Sequence, residues 1–272
     1  MKPVDILMLC VGLAITALTF TAQSAADIDP ASVMGAWLFE EGKGDTVSDS
    51  SGNDLDGTVM EGCEWVEGKF GMAMDFDDKD EYVHVPASLL FSPEEFTVCF
   101  WMYPRTIGGN NPVGTGTSTL VVTNGNPGDG GGSNWWFELW NGGNFNFATC
   151  VGGCDGASTP ITIPNKWYFI TGTHNGEQFQ IYVDGVLKGS VDHVKGVENK
   201  GLMLGDALCP AGHGCDGGYY DGLLDDVVLF NYILSVDEIK DLMDSGAAVS
   251  LDLSHAVASA GKLAVTWGSI KE

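Results

Sequence analysis

The segment 165–190, NKWYFITGTHNGEQFQIYVDGVLKGS, constrains the fold more than any other part of the chain. It holds two strand runs joined at HNGE and a second turn at DG. Asn-Gly and Asp-Gly punctuate hairpins because glycine reaches positive φ without steric cost. The same grammar recurs elsewhere. In EYVHVP, Tyr82 and His84 share one face and Val83 and Val85 the other. FTVCFWMYP is apolar on both faces, which predicts a strand covered on both sides. DGLLDDVVLFNYIL predicts another, with Leu224, Asp226, Val228 and Phe230 facing one way. Many short strands between turn signals imply an all-β sandwich of two antiparallel sheets.

One helix interrupts the strand pattern. SVDEIKDLM places Ser235 as N-cap with Glu238 three residues on, and Val236, Ile239, Leu242 and Met243 form its apolar side. A short surface helix near the C-terminus is expected. From Thr106 to Asn134 the chain is rich in glycine, asparagine and threonine, broken by TLVVT, which predicts a long loop with a short strand inside it.

The N-terminus has a basic start at Lys2, an apolar run from Ile6 to Phe20 and small residues at Ser24 and Ala26. Residues 1–26 are expected to be a secretory signal peptide, and the product to be secreted or held at the cell surface. An uncleaved anchor is the alternative, but the run is short for a span of roughly 20 residues. The formal charge of −25 argues against nucleic acid as a partner, because like charge repels a phosphate backbone. With no internal repeat and no proline-rich linker, one domain over 27–246 and a tail over 247–272 are expected. The tail includes KLAVTWG, either an edge strand or an attachment segment.

Six cysteines follow the leader: Cys63, Cys99, Cys150, Cys154, Cys209 and Cys215. An even count in an exported chain favours disulfides. CVGGCDG and CPAGHGCDGG suit local bridges, Cys150–Cys154 and Cys209–Cys215, with cross-pairing between the two loops as the alternative. Cys99 is either a buried free thiol or the partner of Cys63.

The stretch SDSSGNDLDGT concentrates oxygen donors. Asp49, Ser51 and Asn53 follow the first EF-hand spacings, yet Asp54 stands where that loop needs glycine and Met60 where it needs glutamate. It is therefore not an EF-hand. Further on, NGNPGDGGGSNWWFELWNGGNFNF supplies the aromatic faces and amides that bind sugars. Strand alternation puts Trp136, Glu138 and Trp140 on one face, with Trp135, Phe137 and Leu139 on the core face. Trp136, Trp140, Asn134 and Asn141 are the candidate ligand-binding residues, and packing beneath the glycine-rich loop is the alternative for both tryptophans.

In order along the chain, GAWLFEEGKGDTVSDSSGNDLDGT, GKFGMAMDFDDKDEYVHVP, FTVCFWMYP, KWYFITGTHNGEQFQIYVDGVL and DGLLDDVVLFNYILSVDEI resemble the laminin-G-like jelly roll of the concanavalin A-like lectin and glucanase group. The resemblance runs from about Met34 to Met243. It implies a jelly roll with its first and last strands adjacent. It also implies a structural calcium ion shared by Asp49, Asn53 and Asp225, with Asp77 or Asp80 as alternative ligands and metal-free Asx turns as the alternative to any ion. The Glu-x-Asp-x-x-Glu strand of the group's glucanases is missing, and Arg105 is the only arginine, so the arginine-bearing strands of the related lyases are missing too. Binding without catalysis is the expectation. The partner is an extracellular glycan or glycoconjugate, with adhesion to a protein partner as the second reading.

Overall fold

A computed structural model describes residues 28–77, 81–91, 93–107, 118–125, 134–140, 142–150, 153–194, 196, 200–205 and 219–253. The expected leader, Asn141, Cys209, Cys215 and most of the tail lie outside them. The early strands are β1 (Val33–Trp37), β2 (Thr46–Val47), β3 (Gly57–Met60), β4 (Glu64–Glu67), β5 (Met72–Asp77) and β6 (Tyr82–Val85). There follow β7 (Glu95–Pro104), β8 (Ser118–Asn124), β9 (Trp135–Trp140), β10 (Asn144–Thr149) and β11 (Asp155–Pro160). The hairpin segment supplies β12 (Tyr168–Asn175), β13 (Gln178–Val183) and β14 (Val186–Asp192). The chain closes with β15 (Leu202–Leu204), β16 (Asp221–Phe230) and helices α1 (Val236–Ser245) and α2 (Ala247–Ser250).

These strands form two eight-stranded sheets. The first runs β14-β13-β12-β7-β16-β5-β4, with β1 also on β16; the second runs β11-β10-β9-β8-β15-β6-β3-β2. The first and last strands are thus neighbours, antiparallel with Trp37 opposite Val227. Between the sheets lies an aromatic core. Phe137 stacks on Phe147 at 4.3 Å and meets Phe100 edge-on at 5.0 Å. Gly172 of β12 faces this pair, and a Cβ there would stand 2.8 Å from Phe147.

The strand β7 is covered on both sides, as its composition predicts. Phe96, Val98, Phe100 and Met102 enter the inter-sheet core, while Cys99 and Trp101 join a second cluster on the outer face of the first sheet. Ile239 and Leu242 of α1 cover that cluster. The helix carries the capping box read from the sequence, Ser235 with Glu238. Val236 departs from the expected apolar side and is exposed.

One expectation needs correction. The alternation of β16 breaks at Asp226, which has φ 49° at a register shift against β7. A bulge advances the face by one residue, so Leu224, Val227 and Leu229 face the core while Val228 and Phe230 face outward. The expected short C-terminal helix is present as α1, and one further turn, α2, follows it. Ala247 and Leu251 are buried in the outer cluster.

Cys63 and Cys99 are free and buried in different clusters, one between the sheets and one outside them, so they do not pair. Burial pushes both thiols up to about 12, with Glu81 adding to the effect at Cys63. At pH 8 a thiol of that kind is ionised in about one molecule in 10⁴. Iodoacetamide at pH 8 is therefore expected to label neither residue until the chain unfolds, as read by peptide mass spectrometry. Labelling at the rate of a free thiol in native buffer would contradict this burial.

Candidate functional site

The outer face of the second sheet carries the candidate site. On β9, Trp136, Glu138 and Trp140 point away from the core that Trp135, Phe137 and Leu139 enter. Two tryptophans on one face therefore have different surroundings. Trp136 is 7% exposed, packed with Tyr82, Leu120, Ala148 and Met203, and its indole N–H has no partner among the described residues. Trp140, at the strand end, is 37% exposed.

Beside Trp140 runs a ladder of amides. Asn146 of β10 lies opposite both Glu138 and Ser158. Its Nδ2 donates to Glu138 Oε1 at 3.3 Å, and Asn144 Nδ2 donates to Asn146 Oδ1 at 3.0 Å. Asn144 and Ser158 are exposed and Asn146 is half-buried. One flat aromatic ring next to oriented amide and carboxylate groups is the combination that holds a sugar. Asn144 and Asn146 were legible as residue types but not as neighbours of Glu138, because strand register across β9 and β10 decides that.

Of the residues read from the sequence, Asn134 is buried, and its Nδ2 donates to Asn124 Oδ1 at 2.6 Å. It ties β9 to β8 and offers little surface to a ligand. The disulfide Cys150–Cys154 closes the loop between β10 and β11, and Cys150 packs beside the Trp136 cluster.

The three residues expected to share a metal stand apart in role. Asp49 spends its carboxylate on the opening turn: Oδ1 accepts from the N–H groups of Ala36 and Ser51 at 3.0 and 2.9 Å. Oδ2 accepts from Ser51 Oγ and the Leu55 N–H at 2.8 and 3.1 Å. A carboxylate has about four lone-pair sites, so Asp49 has none left and does not fit a metal. Asn53 Nδ2 donates to the carbonyls of Val33 and Met34 at 2.9 and 3.2 Å. The stretch SDSSGNDLDGT is a clip on the free edge of β1.

Asp225 differs. It sits where β16 changes neighbour from β5 to β1, and it is wholly buried. Its Oδ2 accepts from the N–H groups of Lys69 and Phe70 at 2.8 and 2.9 Å, while Oδ1 is buried with no partner among the described residues. Asp226 Oδ2 accepts from the Ala247 N–H at 2.8 Å, and Glu40 Oε1 accepts from the Met72 N–H at 3.0 Å. A Cβ on Gly68 would stand 2.6 Å from Asp225 Oδ2, and one on Gly71 would run into the Glu40 carboxylate, so the turn GKFG closes on Asp225 and Glu40 only with glycine at both ends. Burial pushes Asp225 up to about 8, with Asp226 and then Glu40 adding to it, and burial likewise pushes Asp226 up to about 7. The oxygen Oδ1 of Asp225 fits a cation. No cluster of three or more His, Cys, Asp or Glu side chains able to hold one occurs among the described residues, so carbonyl oxygens and water would complete the shell.

Two antiparallel eight-stranded sheets with the first and last strands paired make a jelly-roll sandwich. The match of residues 77–240 to the concanavalin A-like lectin/glucanases superfamily shows that the chain belongs to that family. Among solved structures it is similar to domain 4 of AbnA, a GH43 extracellular arabinanase from Geobacillus stearothermophilus, in complex with arabinotriose. That match has a TM-score of 0.60 at 20% identity, over 77% of this chain and 97% of the other. The binding domain of Paraclostridial Mosquitocidal Protein 1 gives 0.62 at 18% identity, over 79% of this chain and 52% of the other. The botulinum neurotoxin serotype D binding domain gives 0.58 at 16% identity, over 78% and 51%. The chain thus spans about half the length of the toxin domains. At these identities the likeness is one of fold. A search of the curated proteins found no match. No helix among the described residues is long and apolar enough to cross a membrane.

Proposed function

We propose that the chain is a secreted, non-catalytic module that binds carbohydrate or glycoconjugate at the Trp140 end of the second sheet. The observation that carries this reading is the exposed Trp140 ring beside the Glu138–Asn146–Asn144 ladder. The arabinotriose complex of the arabinanase domain supports a saccharide as the class of ligand. A non-catalytic role is supported by the acids: hydrolysis needs two carboxyl groups across the bond, and the second sheet offers only Glu138 and, at the start of β11, Asp155. Trp140→Ala is expected to weaken binding of a responsive oligosaccharide at least tenfold, about 1.4 kcal/mol, with an unchanged melting temperature. Affinity electrophoresis against a polysaccharide panel reads this. Binding that survives the substitution sinks the reading, and a protein captured in place of any sugar favours the adhesion role.

A structural calcium ion at Asp225 belongs to the same proposal, with Asp49 left out because its lone pairs are used. The ion would relieve the burial of negative charge that a proton otherwise relieves. A ligand that binds only the folded form raises its melting temperature. Calcium is therefore expected to raise it over EDTA in the wild type but not in Asp225→Asn, and equal melting curves in the wild type would remove the ion.

A further inference from the structure

From Thr106 to Asn165 the sequence holds no lysine or arginine, and no strand of the second sheet contains either. The outer face of that sheet nevertheless carries a carboxylate in its middle. Glu138 is 7% exposed, flanked along β9 by Trp136 and Trp140, and bonded only through Oε1 to Asn146. Its Oε2 has no partner among the described residues. A carboxylate accepts and never donates when ionised, and Oε2, unlike Oδ1 of Asp225, is not sealed from solvent, so a donor from outside can reach it. No strand of this sheet offers Glu138 a cationic partner, and the rest of the chain, at −25, adds to the demand for positive charge.

We infer that this end of the sheet is built for an amino-sugar polymer with free ammonium groups, and that Glu138 selects it. The inference rests on the carbohydrate reading given above and narrows its substrate class. Residues two apart on a strand lie about 7 Å from each other, so one sugar ring on Trp140 brings a neighbouring substituent over Glu138. An ammonium there donates to Oε2, with its positive charge also within reach of an indole face, where attraction extends to about 6 Å from the ring centroid. Asn146 holds the carboxylate in place from the other side. Sulfated and uronic-acid glycans meet the Glu138 carboxylate and no cationic side chain on these strands, and are turned away.

The test compares four probes on the full chain by calorimetry. They are a fully deacetylated glucosamine oligosaccharide, its N-acetylated counterpart, a neutral arabino-oligosaccharide and a heparin oligosaccharide. The deacetylated probe is expected to bind at least tenfold tighter than the N-acetylated one, with an affinity that falls as salt rises, and heparin not to bind. Glu138→Gln should weaken the deacetylated probe at least tenfold more than the N-acetylated one, with melting curves confirming that the variant folds. Equal affinity for the two glucosamine probes, or an unaltered preference in Glu138→Gln, overturns the inference. Neutral sugars binding in a Trp140-dependent way without preference for ammonium would sink the inference and leave the carbohydrate reading standing. If no probe of any class binds, both fall.

Discussion

Asp225→Ala is expected to destabilise the fold by about 1–3 kcal/mol, since it removes the acceptor of two part-buried backbone donors that water replaces only in part. The donors are the N–H groups of Lys69 and Phe70, which reach Asp225 Oδ2 across the gap where β16 changes neighbour. The loss also depends on pH. The ordinary value of an aspartate is 3.8, and burial raises Asp225 to about 8. Between those values the folded chain holds a proton that the unfolded chain has released. The resulting stabilisation is complete below the unfolded value and disappears as pH rises through the folded one. Each proton so held makes stability fall by up to about 1.4 kcal/mol per pH unit. In EDTA, the wild type should therefore melt at a higher temperature at pH 5 than at pH 9. Asp225→Ala should melt lower than wild type at both, with the smaller deficit at pH 9. A wild-type profile that climbs from pH 5 to pH 9 would show that the carboxylate is ionised throughout.

Phe137→Ala is expected to cost about 3–5 kcal/mol, the range for deleting a large buried aromatic. The ring stacks on Phe147 at 4.3 Å, nearly parallel, and receives Phe100 edge-on at 5.0 Å. Removing it strips both partners and opens a cavity between sheets that are rigidly hydrogen-bonded. Gly172 makes the claim sharper. Its missing Cβ leaves room for Phe137 and Phe147, so Gly172→Ala should destabilise the wild type by overpacking, about 1–3 kcal/mol. In the Phe137→Ala background the same change fills vacated space and should cost less. Urea denaturation of the four proteins gives the coupling energy. Strict additivity would mean that glycine is not required there by the approach of the rings.

The arrangement of faces was readable wherever alternation ran unbroken. Trp135, Phe137 and Leu139 enter the core and Trp136 and Trp140 turn outward, as period two demands. The two-sided burial of β7 and the capping box at Ser235 followed from local composition for the same reason. On β16 alternation misled, because the bulge at Asp226 is set by the exchange of β5 for β1 as neighbour. Glu40 escaped notice in the sequence and Asp226 was read only as part of a strand face, both being ordinary acids until Gly71 and Gly246 pack against them. The run of Asp49, Ser51 and Asn53 looked like a set of ligands, since residue type does not reveal whether an oxygen's lone pairs are already occupied by backbone donors.

By itself the amino-acid sequence determined the all-β class, the hairpins and the position of the capped helix, because these depend on interactions within a few residues. It also determined the acidity of the molecule and the absence of basic residues from the strands around Trp140. Only the tertiary structure decided which tryptophan is exposed, which amides stand beside Glu138, and which aspartate keeps an unpaired oxygen. Those properties depend on register between strands distant in sequence, where burial and hydrogen-bond partners are assigned by the whole sandwich at once.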